Sequence, residues 1–162
     1  MSNIDLNPHQ INFTKILDEA LGNYTTIVID FIIVNDKNQI LIQKRSMDRK
    51  LFPGKWEITG GKLEEGETII DCIKREMFEE CKMELTSILT LAHRFTWADD
   101  SDVINLQFLV KAIGEFTPEA GKISEHKWIG IDQIDILLDD NSFESDIYKC
   151  AQRSFEYLET AI

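Results

Sequence analysis

The chain has 162 residues, 43% of them hydrophobic and 28% charged, with eight glycines and three prolines. That length suits one domain burying roughly two thirds of its unfolded surface, and the composition excludes collagen-like, low-complexity and disordered classes. Seventeen basic against 29 acidic side chains leave a formal charge of −12, which disfavours duplex DNA and acidic membranes as partners and makes any polyanionic ligand dependent on a local cation.

Six carboxylates lie between Asp132 and Asp146 with no Lys or Arg among them, a pattern read as a solvated face. Cys72, Cys81 and Cys150 are odd in number and widely spaced. Neither a disulfide framework nor structural zinc is expected from them; a reducing, cytoplasmic setting is. The N-terminus shows no signal-peptide pattern, and the longest apolar run, Ile27 to Val34, is interrupted by Asp30 and too short to span a bilayer. We expect one domain over residues 1–162.

In chain order, Phe13, Ile16, Leu17 and Leu21 predict a helix over 12–21, stopped by Gly22. The β-branched run 25–34 predicts a buried strand, and the turn chemistry of Asn35-Asp36-Lys37-Asn38 joins it to a strand over 39–45 as a hairpin. A basic loop broken by Pro53-Gly54 leads to a short strand at 56–59. Thr68 and Asp71 resemble a capping box opening a helix to about Cys81, with Ile69, Ile70, Ile73 and Met77 as its apolar stripe. Strands follow at 85–95 and 103–113, then a short one at 127–129. Asp132 is read as the cap of a short helix to Leu138, and a last helix is expected over 143–158. Strands alternating with helices argue for an α/β fold, a mixed sheet packed between helices.

The chemistry concentrates in Gly60 to Met83, a glycine-rich loop feeding an acidic helix. Glu76, Glu79 and Glu80 stand at i, i+3 and i+4 and share a face, with Cβ atoms about 5–6 Å apart. Like charges there cost an isolated helix a few tenths of a kcal/mol per pair, at the end where the macrodipole also opposes them. A divalent cation removes both conflicts, and an all-oxygen donor set suits a hard ion such as Mg²⁺ or Mn²⁺. Taken alone, the triplet reads more readily as a solvated Glu-rich face than as a metal site.

The wider spacing adds to this. Gly61, five residues, Glu67, seven residues, then Arg75-Glu76-Met77-Phe78-Glu79-Glu80 resembles the signature of the Nudix hydrolases. Each specified position matches except the penultimate Gly, here Lys82 before Met83. The resemblance implies that family's α/β/α sandwich over about residues 25–138, and hydrolysis of a nucleoside diphosphate linked to another group X. It implies Mg²⁺ or Mn²⁺ held by Glu76, Glu79 and Glu80, with the Gly60 carbonyl adding a ligand. Glu67 would act through water or a hydrogen bond, and Arg75 would orient the carboxylates. Glu79 is the first choice of base, with the loop acids Glu119 and Glu125 as alternatives. Lacking the usual glycine cap, the helix is expected to end at a shifted position with its site intact.

Outside the signature, Arg45 is expected to meet phosphate, while Lys44, Arg49, Lys50 and Lys55 are read as solvated. Phe95 and Trp97 are candidates to stack on a base. His93 and His126 are assigned local structural roles, and Met77 and Phe78 packing. Two other readings belong to related branches: a non-catalytic Nudix-like ligand-sensing domain, and an enzyme similar to isopentenyl diphosphate isomerase. The first typically loses Glu from a stretch that is complete here; the second needs a Cys where this chain has Thr59 and Gly60. Substrates are expected to be small nucleotides, triphosphates favoured, and the resemblance carries the expectation of a homodimer.

Overall fold

The computed structural model describes residues 4–140 and 144–161. In chain order its elements are α1 (Phe13–Asn23), β1 (Thr26–Ile33), β2 (Ile40–Arg45), β3 (Trp56–Glu57), β4 (Thr59–Lys62), α2 (Ile69–Cys81), β5 (Glu84–Thr96), β6 (Val103–Ile113), β7 (Ile123–Ile129), a 3-10 helix (Ile131–Leu137) and α3 (Asp146–Thr160). The mixed sheet between helices forms as expected. Its order is β4-β1-β6-β5, with β1 parallel to β6 and antiparallel to β4. A second, antiparallel sheet of order β3-β2-β7 accompanies it.

β1 explains the layering. It is apolar at all but its Thr and Asp positions, as befits a central strand covered on both faces. Alternation sends Ile27, Ile29 and Phe31 into one core with Ile69, Ile73 and Met77 of α2. Ile32 and Val34 enter a second core with Ile40 and Ile42 of β2 and Cys150, Ala151 and Phe155 of α3. Asp30 shares this second face, and there it borders a cleft lined by strands of both sheets.

Several expectations are corrected. The turn at 35–38 forms, with Asn35 Oδ1 accepting the Lys37 and Gln39 N–H groups at 3.0 Å. Beyond the single bridge Val34–Ile40, however, β1 and β2 part into different sheets, because β1 finds longer ladders in β4 and β6. Gly22 lies inside α1, which runs to Asn23. The short helix after β7 is 3-10, and its N-cap is Gly130 rather than Asp132. α3 starts from a Ser145 cap; the expected start at Phe143 lies outside the described residues. Asp132, Asp135, Asp139, Asp140 and Glu144 are exposed as expected, but Asp146 is half-buried and bonded to His93. All three cysteines are free and buried. Among the described residues, no helix is long and apolar enough to cross a membrane.

The end of α2 is not shifted. Lys82 adopts the left-handed conformation itself (φ 56°, ψ 29°) and donates its N–H to the Phe78 carbonyl. A left-handed L-residue costs about 1–2 kcal/mol. Glycine would remove that strain but add about 0.5–1 kcal/mol of unfolded-state entropy, and would lose the Lys82 ammonium over the Phe78 ring at 5.0 Å, worth about 0.5 kcal/mol. The terms nearly cancel, which explains why lysine is tolerated. Lys82→Gly is therefore expected to shift the melting temperature by less than about 2 °C; a rise above about 5 °C in a calorimetric scan would refute this balance.

Candidate active site

The Thr68 hydroxyl accepts the Asp71 N–H at 3.1 Å and so sets the phase of α2. That phase places Glu76 inward, 8% exposed, with the Glu79 side chain outward at 56% and Glu80 half-buried toward the cleft. β4 runs closely beneath. A Cβ on Gly60 would collide with the Ile29 carbonyl and the Asp30 backbone, so this approach needs glycine there, and one on Gly61 would displace the Glu76 carboxylate.

Arg75 organises the acids as the spacing suggested. Its Nε and Nη2 donate to the two oxygens of Glu67 at 2.7 and 3.0 Å, and Nη1 donates to Glu76 at 2.7 Å. Nη1 also lies 3.5 Å from Glu79, and Nη2 donates to the Lys62 carbonyl at 3.1 Å. The bidentate bond with Arg75 holds the Glu67 carboxyl down at about 2. Burial raises Glu76 despite its bond to Arg75.

Glu80 is placed differently. Its Oε2 accepts one long bond from the Gly60 N–H, at 3.4 Å. Burial pushes it up to about 8, and the like charges of Glu76, Glu57 and Glu119 add to the rise. Among the described residues, no three acidic, His or Cys side chains already converge as a metal-binding group. The donor chemistry nevertheless fits a hard divalent ion: Glu80 lies within electrostatic reach of Glu76, Glu57 and Glu119, all oxygen donors, while Arg75 is committed to Glu67 and Glu76.

The cleft also contains residues the sequence did not single out. Glu57 accepts from Gln43 Nε2 at 3.1 Å and from Arg45 Nη1 at 3.1 Å. Gln43 Oε1 is buried and has no partner among the described residues. Asp30 Oδ2 accepts from Asn105 Nδ2 at 2.6 Å and Gln107 Nε2 at 3.1 Å, while burial pushes the carboxyl up to about 6. The signal for Asp30 was present: a lone carboxylate interrupting an apolar strand. Glu57 had no comparable mark, since β3 is only two residues long.

The remaining candidates divide. Arg45 lines the cleft, but its guanidinium is engaged by Glu57 and by the Leu51 carbonyl at 2.8 Å, so it positions Glu57 and the following loop. Arg49, expected to be solvated, is half-buried and lines the cleft, as does Lys122. Glu119 lines it too, whereas Glu125 stands exposed on β7 beside Lys127 at 3.9 Å. Trp97 Nε1 donates to Asn105 at 2.6 Å and so joins the Asp30 network; Phe95 is half-buried and stacked on His93. Arg153 donates to His93 Nδ1, leaving Nε2–H to donate to Asp146 at 2.9 Å, so His93 ties β5 to α3. His126 packs on Phe116 at 4.7 Å between ring centres. Met77 is fully buried, but Phe78, assigned to packing, is 65% exposed because the sheet takes the opposite side of α2.

The family profile described as NUDIX domain matches residues 25–150. Nucleoside triphosphatase NudI of Enterobacter sp. (strain 638) is 36% identical over 64 residues, which span 38% of this chain and 45% of the relative. NAD-capped RNA hydrolase NudC of Vibrio parahaemolyticus is 28% identical over 103 residues, 64% of this chain and 38% of the relative. The chain thus matches less than half the length of either. The crystal structure of a MutT protein from Methanosarcina mazei Go1 superposes with a TM-score of 0.66 at 20% identity, over 83% of this chain and 96% of that one, a likeness of fold. With the profile covering most of its length, this chain belongs to the NUDIX family.

Proposed function

We propose that the chain hydrolyses the diphosphate linkage of a nucleoside diphosphate–X compound, with nucleoside triphosphates as the favoured substrates and Mg²⁺ or Mn²⁺ as cofactor. The observation that carries this reading is Glu80. A half-buried carboxyl pushed up to about 8 beside Glu76, Glu57 and Glu119 is stable as an anion once divalent charge is supplied. That one relative is a nucleoside triphosphatase, NudI, and another an NAD-capped RNA hydrolase, NudC, supports a nucleotide substrate and favours a triphosphate.

Glu76, Glu79, Glu80 and the Gly60 carbonyl would hold the ions, which when bound neutralise the diphosphate and lower the pKa of water. Arg75 keeps Glu67 and Glu76 in place, so their positions are set before substrate arrives. Glu79, the least buried of the three acids, lies 3.5 Å from Arg75 Nη1 and would take a proton from the attacking water; Glu119, which also lines the cleft, is the alternative base. The reading includes a cytoplasmic location, in keeping with free, buried cysteines, and a homodimer, which rests on the family resemblance alone.

The test is phosphate or pyrophosphate release from a panel of nucleoside triphosphates, dinucleoside polyphosphates, sugar nucleotides and capped RNA. Turnover is expected with Mg²⁺, is expected to stop on chelation with EDTA, and should return with added Mg²⁺. Equal release in EDTA and Mg²⁺, or none from any compound, overturns the reading.

A further inference from the structure

The cations lining the cleft are not equally committed. Arg45 is held by Glu57 and the Leu51 carbonyl, and Lys122 pairs with Glu119 at 2.9 Å. Arg49 is half-buried in the same cleft, and among the described residues its guanidinium has no ion pair or hydrogen bond. A cation withdrawn from water without an anion is costly, and a ligand that brings the anion recovers that cost. The planar guanidinium offers paired N–H donors that match two phosphate oxygens at once.

The segment carrying Arg49 is anchored. The Arg45 N–H donates to the Lys55 carbonyl at 2.9 Å, the Gly54 N–H to the Arg45 carbonyl at 3.0 Å, and the Ser46 N–H to the Lys122 carbonyl at 2.9 Å. The last of these ties the loop to the segment bearing Lys122 and Glu119. Arg49 therefore faces the cleft from a supported loop.

Charge then separates two kinds of substrate. In the proposed reaction the carboxylates would hold the ions that neutralise the two phosphoryl groups of the bond to be cut. A diphosphate joined to an uncharged X has no further anion to offer Arg49, whereas a triphosphate has one. We propose that Arg49 binds a third phosphoryl group and makes the cleft selective for nucleoside triphosphates over nucleoside diphosphates linked to an uncharged group. This deepens the hydrolase reading and rests on it for its kinetic arm.

The experiment compares wild type, Arg49→Gln and Arg49→Lys on a nucleoside triphosphate and on a nucleoside diphosphate sugar, with Mg²⁺. Calorimetric binding of inorganic tripolyphosphate with Mg²⁺ gives a second readout. Arg49→Gln is expected to lower kcat/KM for the triphosphate about 10- to 100-fold, mainly through KM, the effect of one charge-assisted bond. That loss should exceed the loss on the sugar nucleotide at least about tenfold, with partial recovery in Arg49→Lys and a matching loss of tripolyphosphate affinity. Equal losses on both substrates, no loss on the triphosphate, or unchanged tripolyphosphate binding overturns the assignment. Wild type that turns over neither substrate but binds tripolyphosphate through Arg49 rejects the hydrolase reading and leaves the phosphate site standing.

Discussion

Glu80→Gln is expected to lower kcat by at least two to three orders of magnitude, the scale of removing one key electrostatic group, and at the same time to stabilise the metal-free protein at alkaline pH. The second effect follows from linkage. The Glu80 carboxyl has an ordinary value of 4.5 and a folded one of about 8, so folding favours its neutral form. As pH rises through that window, ionisation increasingly opposes folding, and above about 8 the opposition is complete. Glutamine stays neutral throughout. In EDTA, the variant's melting temperature should exceed wild type at pH 9 and approach it near pH 4. Glu79→Gln, on an exposed side chain, should show the same catalytic loss without the stabilisation. Wild-type turnover by either variant removes that residue from the catalytic set. A Glu80→Gln protein less stable than wild type at pH 9 contradicts the crowding of charge.

Arg75→Ala is expected to be the most damaging single change to the fold around the site. The arginine side chain is 23% exposed and those of Glu67 and Glu76 only 11% and 10%, so its loss leaves two enclosed carboxylates without their cation. Removing one partner of such a group costs about 3 kcal/mol, roughly 6–12 °C in a chain of this size. Activity should fall about 100-fold, because Glu67 and Glu76 lose their orientation. Acid sensitivity should change as well. Glu67, held at about 2 against an ordinary 4.5, contributes stability above that range that is lost as pH falls through the interval. Without Arg75 this contribution disappears, so the variant's deficit should narrow toward pH 2. Arg75→Lys keeps the charge but not the fork, and should recover less than half of both losses. A melting temperature for Arg75→Ala within 1 °C of wild type would show the contacts to be idle.

What could be read from the sequence follows the range of the interactions. The Thr68 cap and the α2 stripe are local, and spacing alone encodes them; spacing puts Glu76, Glu79 and Glu80 on neighbouring turns but not their different depths, Glu76 buried and Glu79 exposed. β5 and β6 begin and end within one residue of expectation, since apolar runs bounded by polar turns mark their own limits. The β1–β2 turn was legible, but turn chemistry says nothing about which sheet each arm joins. Glu57 and Asp30 reach the cleft only through pairing between distant strands. Strand position alone separates Arg45 from Arg49 in the sequence, favouring Arg45 for phosphate and Arg49 for solvent; the contacts that engage Arg45 with Glu57 and the Leu51 carbonyl come from tertiary structure. Lys82 was misread because a missing glycine was taken to move the helix end, whereas the strain is small enough for lysine to bear.

The pairing of β1 with β6 also bears on how the molecule is made. Thr26 sits beside Val103 and Ile33 beside Val110, so the middle of the sheet joins segments far apart along the polypeptide. Closing so large a loop comes before any reward from contact, which slows folding relative to a chain built from neighbouring pairs. During synthesis, β1 can pair with β4 once residues 59–62 are made, but its other edge waits until the ribosome has delivered residues up to 110. Over that interval this edge is open to pairing with other nascent chains, and Asp30, the one charge along the strand, is the kind of residue that disfavours such pairing.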